Sequence, residues 1–498
     1  MDSKNLNVLT RREFIRKAAC AAVGTGALTC AIRDLRFMNA AVGAQTPPTD
    51  YKALVCIFMS GGNDANNLII PTIQSEYNNY ATIRTDVLAV PLAGGPPSKL
   101  VMPISPLQSD GHDYGFHPAC PELVALFGEG KLVPLFNVGT LVFPMTSAQY
   151  KAGILQKPPQ LFSHADQVTQ WQTSIPDQAP LTGWGGRCAD LLAQPSDLIS
   201  LSVSVAGANT FEVGNLVSQY SVSTSGAIAL TGVSPARQAA ITNILALPYQ
   251  NLQAQAYAKV AQHSIQTGAL LNNAISATSA ANYWTTPFPT TITPPSGGTA
   301  FTPSTSTGLS SQLKMIARLI EAGKRSALAG GFGMKRQIFF CQVGGYDLHT
   351  GQTALVNNVI DPTRGSHANL FAELSQCMFA FQRAMEQLGV ADSVTSFTAS
   401  DFGRTFPSNG QGSDHGWGSH HLIMGGANSL RGQRTYGRFP TLAVNGSDDT
   451  STGRWIPTTA IDQYFSTLAT WFGVDNSNLA TVFPNLGRFA TPNLGFMA

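Results

Sequence analysis

Four short apolar runs, each ending at glycine or polar residues, constrain the fold of this 498-residue chain more than any other feature. The runs are Ala53–Ser60 (ALVCIFMS), Leu132–Gly139 (LVPLFNVG), Gln337–Val343 (QIFFCQV) and Val394–Thr398 (VTSFT). Continuous runs rich in branched and aromatic side chains are typical of strands buried on both faces of a parallel sheet. Each run therefore predicts one buried strand.

Amphipathic segments alternate with these strands. The segment PELVALFGEG precedes the second strand, and Ser366–Leu388 precedes the fourth. The longer segment places these apolar side chains on one helical face: Leu370, Leu374, Cys377, Phe381, Met385 and Leu388. Alternating strands and helices predict an α/β fold, with a mostly parallel sheet covered by helices on both faces. We expect a single domain over residues 45–498, elaborated by loop insertions.

The amino terminus carries the features of an export signal. Paired arginines stand in TRREFIRK at Thr10–Lys17, a weakly apolar run follows at Ala18–Ile32, and VGA at Val42–Ala44 resembles a cleavage site. This pattern predicts a twin-arginine signal peptide at residues 1–44, a periplasmic or secreted protein, and the twin-arginine translocase as a partner during export. The apolar run is too short to span a bilayer, and no other segment predicts a stable membrane span.

The charge balance argues against nucleic acid as a partner. Removal of residues 1–44 would take seven of the 30 lysines and arginines and three of the 28 acidic residues, which leaves a nearly neutral chain. Without a basic excess, binding to phosphate backbones is not expected. Five cysteines follow the signal without a CxxC pair, and we interpret them as buried small hydrophobes.

One segment is distinguished by its composition. Residues 276–311 are rich in proline, threonine, serine and glycine and show no periodicity. Such a segment is either a flexible insertion, for example a lid, or a solvated surface loop.

Polar motifs follow three of the four predicted strands. GGND follows the first strand, GGYDLH the third and SDFGRT the fourth. In sheets of this class, ligands bind beyond the carboxyl ends of the strands, because loops from several strands converge there. We therefore expect a functional site at that end of the sheet.

Carboxylates and imidazoles are concentrated in these motifs and in the string SDHGWGSHH that follows them. Asp347 and His349 are two residues apart, so in an extended chain they point to the same side. The candidate ligands in the later string are the adjacent Asp414 and His415 and, within reach of one turn or hairpin, His420 or His421. Mixed carboxylate and neutral imidazole ligands suit zinc or manganese better than calcium.

Three further residues have two interpretations each. Asp64 in GGND is either a metal ligand or an ordinary turn residue. Arg404 in SDFGRT either clasps a tetrahedral oxyanion with its planar guanidinium or forms a salt bridge to a carboxylate such as Asp401. Ser163 in LFSHADQ stands where a helix begins, so it either lies near a bound anion or caps the helix.

Several motifs, taken in order, resemble the exported proteins of the domain-of-unknown-function family 1501. They are GGNDANNLIIP, FHPACPELVALFGEGKL, FSHADQ, TGWGGR, GGYDLHTGQ, SDFGRTFPSNGQGSDHGWGSHHLIMGG and GRWIPTTAIDQYF. The resemblance runs from about Tyr51 to Phe472, and the string from Ser400 to Gly426 is the most specific part. That family is similar to the alkaline phosphatase superfamily, which implies its α/β sheet and two divalent metal ions.

The resemblance also implies roles for individual residues. One metal would be held by Asp64 with the pair Asp414 and His415. Asp347 and His349, with His420 or His421, would hold the second metal. The superfamily commonly spaces the aspartate and histidine of that second site by three residues, whereas only Leu348 separates them here. Ser163 would be the nucleophile, and Arg404 would neutralise charge on the ester.

Two functions follow as hypotheses. The first is an exported metal-dependent hydrolase of phosphate or sulfate esters, acting on a small molecule or a polymer. The sulfatase motif that is converted to formylglycine is absent, so that type of sulfatase is not expected. The second hypothesis is an envelope binding protein on the same fold, with one metal ion or without catalysis.

Overall fold

The computed structural model describes residues 45–194, 196–227 and 234–498, so the predicted signal peptide at 1–44 lies outside the described residues. The strands are β1 (Lys52–Met59), β2 (Ile69–Pro71), β3 (Met102–Ile104), β4 (Tyr114–Phe116), β5 (Leu132–Gly139), β6 (Ser202–Ser204), β7 (Tyr220–Ser223), β8 (Gly226–Ala227), β9 (Arg336–Val343), β10 (Ala354–Val356), β11 (Val359–Asp361), β12 (Val394–Ser400), β13 (Ser419–Met424) and β14 (Thr459–Ala460). The α-helices are α1 (Gln74–Leu88), α2 (Pro121–Gly128), α3 (Ser147–Ala152), α4 (His164–Thr173), α5 (Trp184–Leu192), α6 (Pro235–Leu245), α7 (Leu252–Ser276), α8 (Leu309–Lys324), α9 (Ser366–Gln387), α10 (Ile461–Phe472) and α11 (Leu479–Val482).

In the described part of the chain, nine strands form one large sheet in the order β14-β5-β13-β12-β1-β9-β6-β7-β8. Strand β1 lies between β12 and β9 and is parallel to both. Strand β13 runs antiparallel to its two neighbours, β12 and β5, and β8 runs antiparallel to β7. The remaining seven strands share one direction, so the predicted mostly parallel sheet is confirmed.

The centre of the sheet is built from the predicted apolar runs. In β1 every residue from Ala53 to Met59 is buried, and β5 and β12 are buried along their whole length. Because both faces of these strands are covered, apolar residues occupy consecutive positions instead of alternating with polar ones. The four predicted strands differ from the observed bounds by two residues at most.

Two groups of helices pack on the sheet. Helix α9 contacts both α2 and α8, and α8 packs on β9. Helices α4, α5, α10 and α11 form the second group, with α4 on β12 and α10 on β1. The predicted helix Ser366–Leu388 corresponds to α9, which buries its apolar face. The prediction of an α/β fold with helices on both faces of the sheet is confirmed.

The Pro/Thr/Ser-rich segment at 276–311 contributes to the core. Trp284, Phe288 and Ile292 are buried in the main hydrophobic cluster. Part of the segment is therefore packed, and its flexibility stays a prediction.

The five cysteines of the described chain are free and buried, as expected from the sequence. Within the same residues, no helix combines the length and the apolar character that a membrane crossing requires.

Candidate metal centre

The carboxyl ends of β1, β9 and β12 meet at a pair of glycines that follow β1. A Cβ atom on Gly61 would lie 2.3 Å from the backbone nitrogen of Asp347, and the φ of Gly61 is +118°. The backbone N–H of Gly61 donates to Oδ1 of Asp401 over 3.1 Å. Only glycine allows this approach, because any other side chain would occupy the space of the loop after β9. The GG of GGND thus brings Asp347 and Asp401 to one place.

Asp347 lies at the centre of the cluster. Its Oδ1 is 3.2 Å from Nε2 of His349 and 3.4 Å from Nε2 of His415. Its Oδ2 is 3.5 Å from Nε2 of His164. The Nε2 atoms of His349 and His415 are 2.9 Å apart. The described chain thus directs three imidazole nitrogens at one carboxylate.

Each of the three imidazoles has an oxygen atom at its Nδ1, which for His349 is Oδ1 of Asp414 at 2.9 Å. Nδ1 of His415 is 2.7 Å from the carbonyl oxygen of Phe162, which can only accept a hydrogen bond. Nδ1 of His164 is 2.7 Å from Oδ2 of Asp401. A donor Nδ1 in a neutral imidazole leaves a lone pair on Nε2, which is the usual arrangement of metal-binding histidines. In all three rings this lone pair faces Asp347.

The distances between the converging ligand atoms suit a divalent cation bound between them. His164, Asp347 and His415 offer three ligand atoms that all lie within 4.8 Å of one another. Nε2 of His164 is buried and has no hydrogen-bond partner among the described residues. Ligand atoms on a tetrahedral zinc ion are about 3.3 Å apart, given metal–ligand distances near 2.0 Å. The separations around Asp347 are of this size.

Asp414 extends the cluster. Its Oδ1 is 2.9 Å from Nδ1 of His349 and accepts a hydrogen bond from Nδ2 of Asn409 over 3.0 Å. The side chains of Asp347, His349 and Asp414 are 47%, 43% and 48% exposed. This side of the cluster is open to solvent, so a substrate can reach it.

Arg404 forms the buried base of the cluster. Its Nη1 donates to Oδ1 of Asp347 over 3.0 Å, and its side chain is 0% exposed. Nε and Nη2 of Arg404 are buried without a hydrogen-bond partner in the described chain. The salt bridge suggested from the sequence exists, but its partner is Asp347 and Asp401 binds His164 instead. Two donors of Arg404 remain for a bound anion.

The local charges determine the ionisation of the two exposed carboxylates. Burial alone would raise the pKa of Asp347, but the charge and hydrogen bond of Arg404 outweigh it and lower that pKa. Burial likewise opposes the lowered pKa of Asp414, which follows from hydrogen bonds with Asn409 and His349. Burial lowers the pKa of His415, which favours the neutral imidazole that binds a metal. These shifts favour the charged carboxylates of Asp347 and Asp414 and the neutral ring of His415, which are the forms that bind a metal ion.

Asp64 is absent from this group of ligand atoms, contrary to the expectation from the sequence. Its Oδ2 binds the buried Arg84 and also accepts a hydrogen bond from Gln352 over 2.6 Å. Its Oδ1 accepts a hydrogen bond from Asn66 over 3.1 Å. Burial would raise the pKa of Asp64, but Arg84 outweighs that effect and the pKa is lowered. Both carboxylate oxygens bind neighbouring side chains, so Asp64 has a structural role in place of the expected metal contact.

His420 and His421 are also not part of the cluster. Both lie in β13 and are buried. Nδ1 of His420 accepts a hydrogen bond from the backbone of Asn137 over 3.1 Å, and the His421 ring packs on Trp171. Burial lowers the pKa of each histidine to about 3. A strand passing through the core places both rings among packed side chains and away from the solvent-open loops.

Ser163 immediately precedes α4, next to His164 of the cluster. Its hydroxyl donates to Oδ2 of Asp166 over 2.7 Å and caps no backbone N–H of the helix. Neither sequence interpretation, helix capping or a nearby anion, describes this side-chain contact. Its role as a nucleophile stays a prediction.

Sequence reasoning missed His164 and Asp401 as members of the site. Both were visible in motifs, His164 in LFSHADQ and Asp401 in SDFGRT. The available signal was their position: SDFGRT follows a predicted strand, and LFSHADQ stands where a helix begins. Their contact joins positions 237 residues apart, which spacing within a motif cannot reveal.

Comparisons with known proteins give one sequence match and several distant structural likenesses. No curated protein matches the chain. Solved structures similar to it include one of Bacteroides thetaiotaomicron, described with the metabolism of multiple glycosaminoglycans (11% identity, TM-score 0.32, covering 88% of this chain and 74% of that one). Two others are of Ps i-CgsB, alone (8% identity, TM-score 0.32, 87% and 74%) and with k-i-k-neocarrahexaose (9%, 0.32, 90% and 78%). At these TM-scores, the likenesses support neither a shared site nor a shared activity.

The family described as "Protein of unknown function (DUF1501)" matches residues 306–476, about a third of the chain. The matched residues include Asp347, His349, Arg404, Asp414 and His415. The motifs GGYDLHTGQ, SDFGRT and GRWIPTTAIDQYF lie in the same region. The resemblance to the domain-of-unknown-function family 1501 is thereby confirmed over residues 306–476, which carry most of the candidate metal centre.

Proposed function

We propose that this protein is a metal-dependent hydrolase of phosphate or sulfate esters. One observation carries the proposal: the Nε2 atoms of His164, His349 and His415 converge on the carboxylate of Asp347. In all three rings Nδ1 is held by an oxygen, so Nε2 presents a lone pair. A divalent cation between these lone pairs and the carboxylate would bind both, so the arrangement favours a metal site.

The residues suit two divalent ions, zinc or manganese, that share Asp347. One ion would be held by Oδ1 of Asp347 with His349 and His415, and the other by Oδ2 of Asp347 with His164. Bound there, such ions lower the pKa of a hydroxyl group or water and neutralise charge on an ester. This assignment replaces Asp64, His420 and His421, whose side chains are occupied or buried elsewhere.

The protein's own residues would perform the remaining steps. The free Nε and Nη2 donors of Arg404 would bind ester oxygens and hold the phosphorus or sulfur in place. Ser163 would attack that atom as its hydroxyl proton passes to Asp166, the present hydrogen-bond acceptor. The ester's alcohol then leaves with a proton from solvent. Water next attacks the phosphorus or sulfur and breaks its bond to Oγ of Ser163, which regains its proton from Asp166. The phosphate or sulfate then leaves, and the proton lost by the water returns to solvent.

The alternative function is an envelope binding protein that holds metal without turnover. The spacing of Asp347 and His349 favours this alternative, because only Leu348 separates them where the superfamily commonly spaces the two ligands by three residues. For either function we propose export through the twin-arginine translocase to the periplasm or beyond, from the arginine pair in TRREFIRK.

The test is an assay of the zinc-loaded and manganese-loaded protein on aryl phosphates, phosphate diesters and aryl sulfates. We expect turnover that is lost on chelation and in Asp347→Asn and is retained in Asp86→Asn, an exposed aspartate outside the cluster. Arg404→Ala should slow the reaction by about 100-fold to 1,000-fold. Two bound metal equivalents without turnover on any ester class would leave the binding protein as the function.

A further inference from the structure

A cleft near the cluster at Asp347 is lined by different types of side chain. This cleft has a volume of about 720 Å³ and is bounded by the ends of β6, β7 and β9, the start of α9, and the loop 303–308. Cavities of a few hundred Å³ to about 1,000 Å³ are typical of small-ligand sites. Gly344 lines the cleft and stands three residues before Asp347, so the two backbones are at most about 11 Å apart.

Hydroxyl and amide groups line the cleft together with apolar side chains. Its lining side chains include serines and threonines of β7 and of the loop 303–308, together with Gln312 and Gln342. Glu373 is the only ionisable side chain among the described lining residues, and no cation faces the cavity. A cleft without cations does not favour a polyanion, whereas paired donors and acceptors suit a neutral polyol.

Several lining groups have no partner in the described chain. The Gln342 side-chain amide and the Thr307 hydroxyl make no hydrogen bond there, and Glu373 uses Oε1 for the backbone N–H of Leu309 over 2.9 Å. Apolar patches from Val222, Val343 and other residues lie between these groups. A sugar ring combines hydroxyl groups with apolar C–H faces, so this alternation matches its surface.

The loop 303–308 gives the Pro/Thr/Ser-rich segment a function. It forms one wall of the cleft, and the Thr224 hydroxyl donates to the carbonyl oxygen of Thr305 across to the opposite wall over 2.9 Å. We propose that the cleft binds the uncharged saccharide part of a substrate, whose ester group reaches the cluster at Asp347. The substrate class, a saccharide ester, rests on the proposed function, whereas binding of a neutral saccharide does not.

The test is binding of the chelator-treated protein to an array of neutral oligosaccharides, including agaro-, malto-, cello- and chito-oligosaccharides, and of their sulfated counterparts. We expect at least one neutral oligosaccharide to bind without metal. Thr307→Trp, which places a bulky side chain in the cleft, should weaken that binding about tenfold or more. Thr302→Trp, an exposed threonine of the same segment outside the cleft, should leave it within about twofold.

A second variant blocks the cleft from another wall, so the test remains valid if Thr307→Trp disturbs the folding of the loop 303–308. A Cβ on Gly344 would meet nothing within 4 Å, so Gly344→Leu should fold and also block binding. Failure of every neutral oligosaccharide to bind, binding of sulfated ones alone, or indifference to both cleft variants would overturn the proposal. Saccharide binding without ester hydrolysis would refute only the proposed function, and hydrolysis of aryl esters without saccharide binding would refute only this inference.

Discussion

Two aspartates that follow central strands of the sheet, Asp64 and Asp347, each form a salt bridge to a buried arginine. The Asp64 side chain is 3% exposed, and both of its oxygens bind Arg84, Gln352 or Asn66. The Asp347 side chain is 47% exposed, and its oxygens face imidazole nitrogens as well as Arg404. The residue types are the same, but only Asp347 retains capacity for a further ligand.

The difference teaches how to separate a structural carboxylate from a functional one. Gln352 links the Asp64 pair to the loop of the cluster, because its Oε1 accepts a hydrogen bond from Ser413 over 2.7 Å. Arg84 also donates to the carbonyl oxygen of Phe406 over 3.0 Å. The Asp64 pair therefore fixes the loop that carries the metal ligands, and the Asp347 pair belongs to the metal centre itself.

The largest expected effect is on stability, from breaking the buried pair. Asp64→Asn leaves the Arg84 charge buried without compensation, and we expect the free energy of unfolding to fall by about 3–5 kcal/mol. Denaturant unfolding of the metal-free protein measures it. The double variant Asp64→Leu with Arg84→Met should recover most of the loss, because no charge then remains. A loss below about 1 kcal/mol in Asp64→Asn would contradict the structural role of Asp64.

The converse effect is expected at Asp347. Asp347→Asn removes the shared carboxylate, so zinc affinity should fall about 100-fold or more, beyond the usual effect of a residue behind a ligand. Calorimetric zinc titration measures the affinity, with Asp86→Asn as the control. Equal zinc affinity in wild type and Asp347→Asn contradicts the assignment.

A smaller effect on the same titration is expected from Asp401. This buried carboxylate holds Nδ1 of His164, and its own pKa is raised by burial against the lowering effect of that hydrogen bond. Asp401→Asn should weaken zinc binding by about 10-fold to 100-fold, as is common for groups that orient a ligand. Unchanged affinity would mean that His164 binds no metal.

A third carboxylate, Asp462, extends the comparison to the pH dependence of stability. Both oxygens of Asp462 are buried without a partner in the described chain, and burial raises its pKa to about 8. Between about pH 4 and pH 8 the unfolded chain loses this proton while the folded chain keeps it, so stability falls as pH rises. Asp64, with its lowered pKa, contributes stability above about pH 4 that is lost in acid.

Asp462→Asn should therefore stabilise the protein by about 1–3 kcal/mol at pH 8 and have little effect at pH 4. Denaturant unfolding at the two pH values measures the difference. An equal effect at both would mean that the carboxyl group does not titrate in this range.

The strands could be predicted because burial on both faces leaves a direct mark in the sequence. Strand β13 was missed, since its sequence SHHLIM places two histidines in an otherwise apolar run. The cluster members Asp347, His349, Asp414 and His415 were predicted from short spacings. Spacing could not show that Arg84 inside α1 would form a salt bridge with Asp64.

The direct test of the central claim is anomalous diffraction from crystals of the protein soaked in zinc. The account predicts zinc peaks in contact with Asp347, one between His349 and His415 and one beside His164, and their loss in Asp347→Asn. Zinc bound instead at Asp64 or at His420 and His421, or no zinc at Asp347, would contradict it.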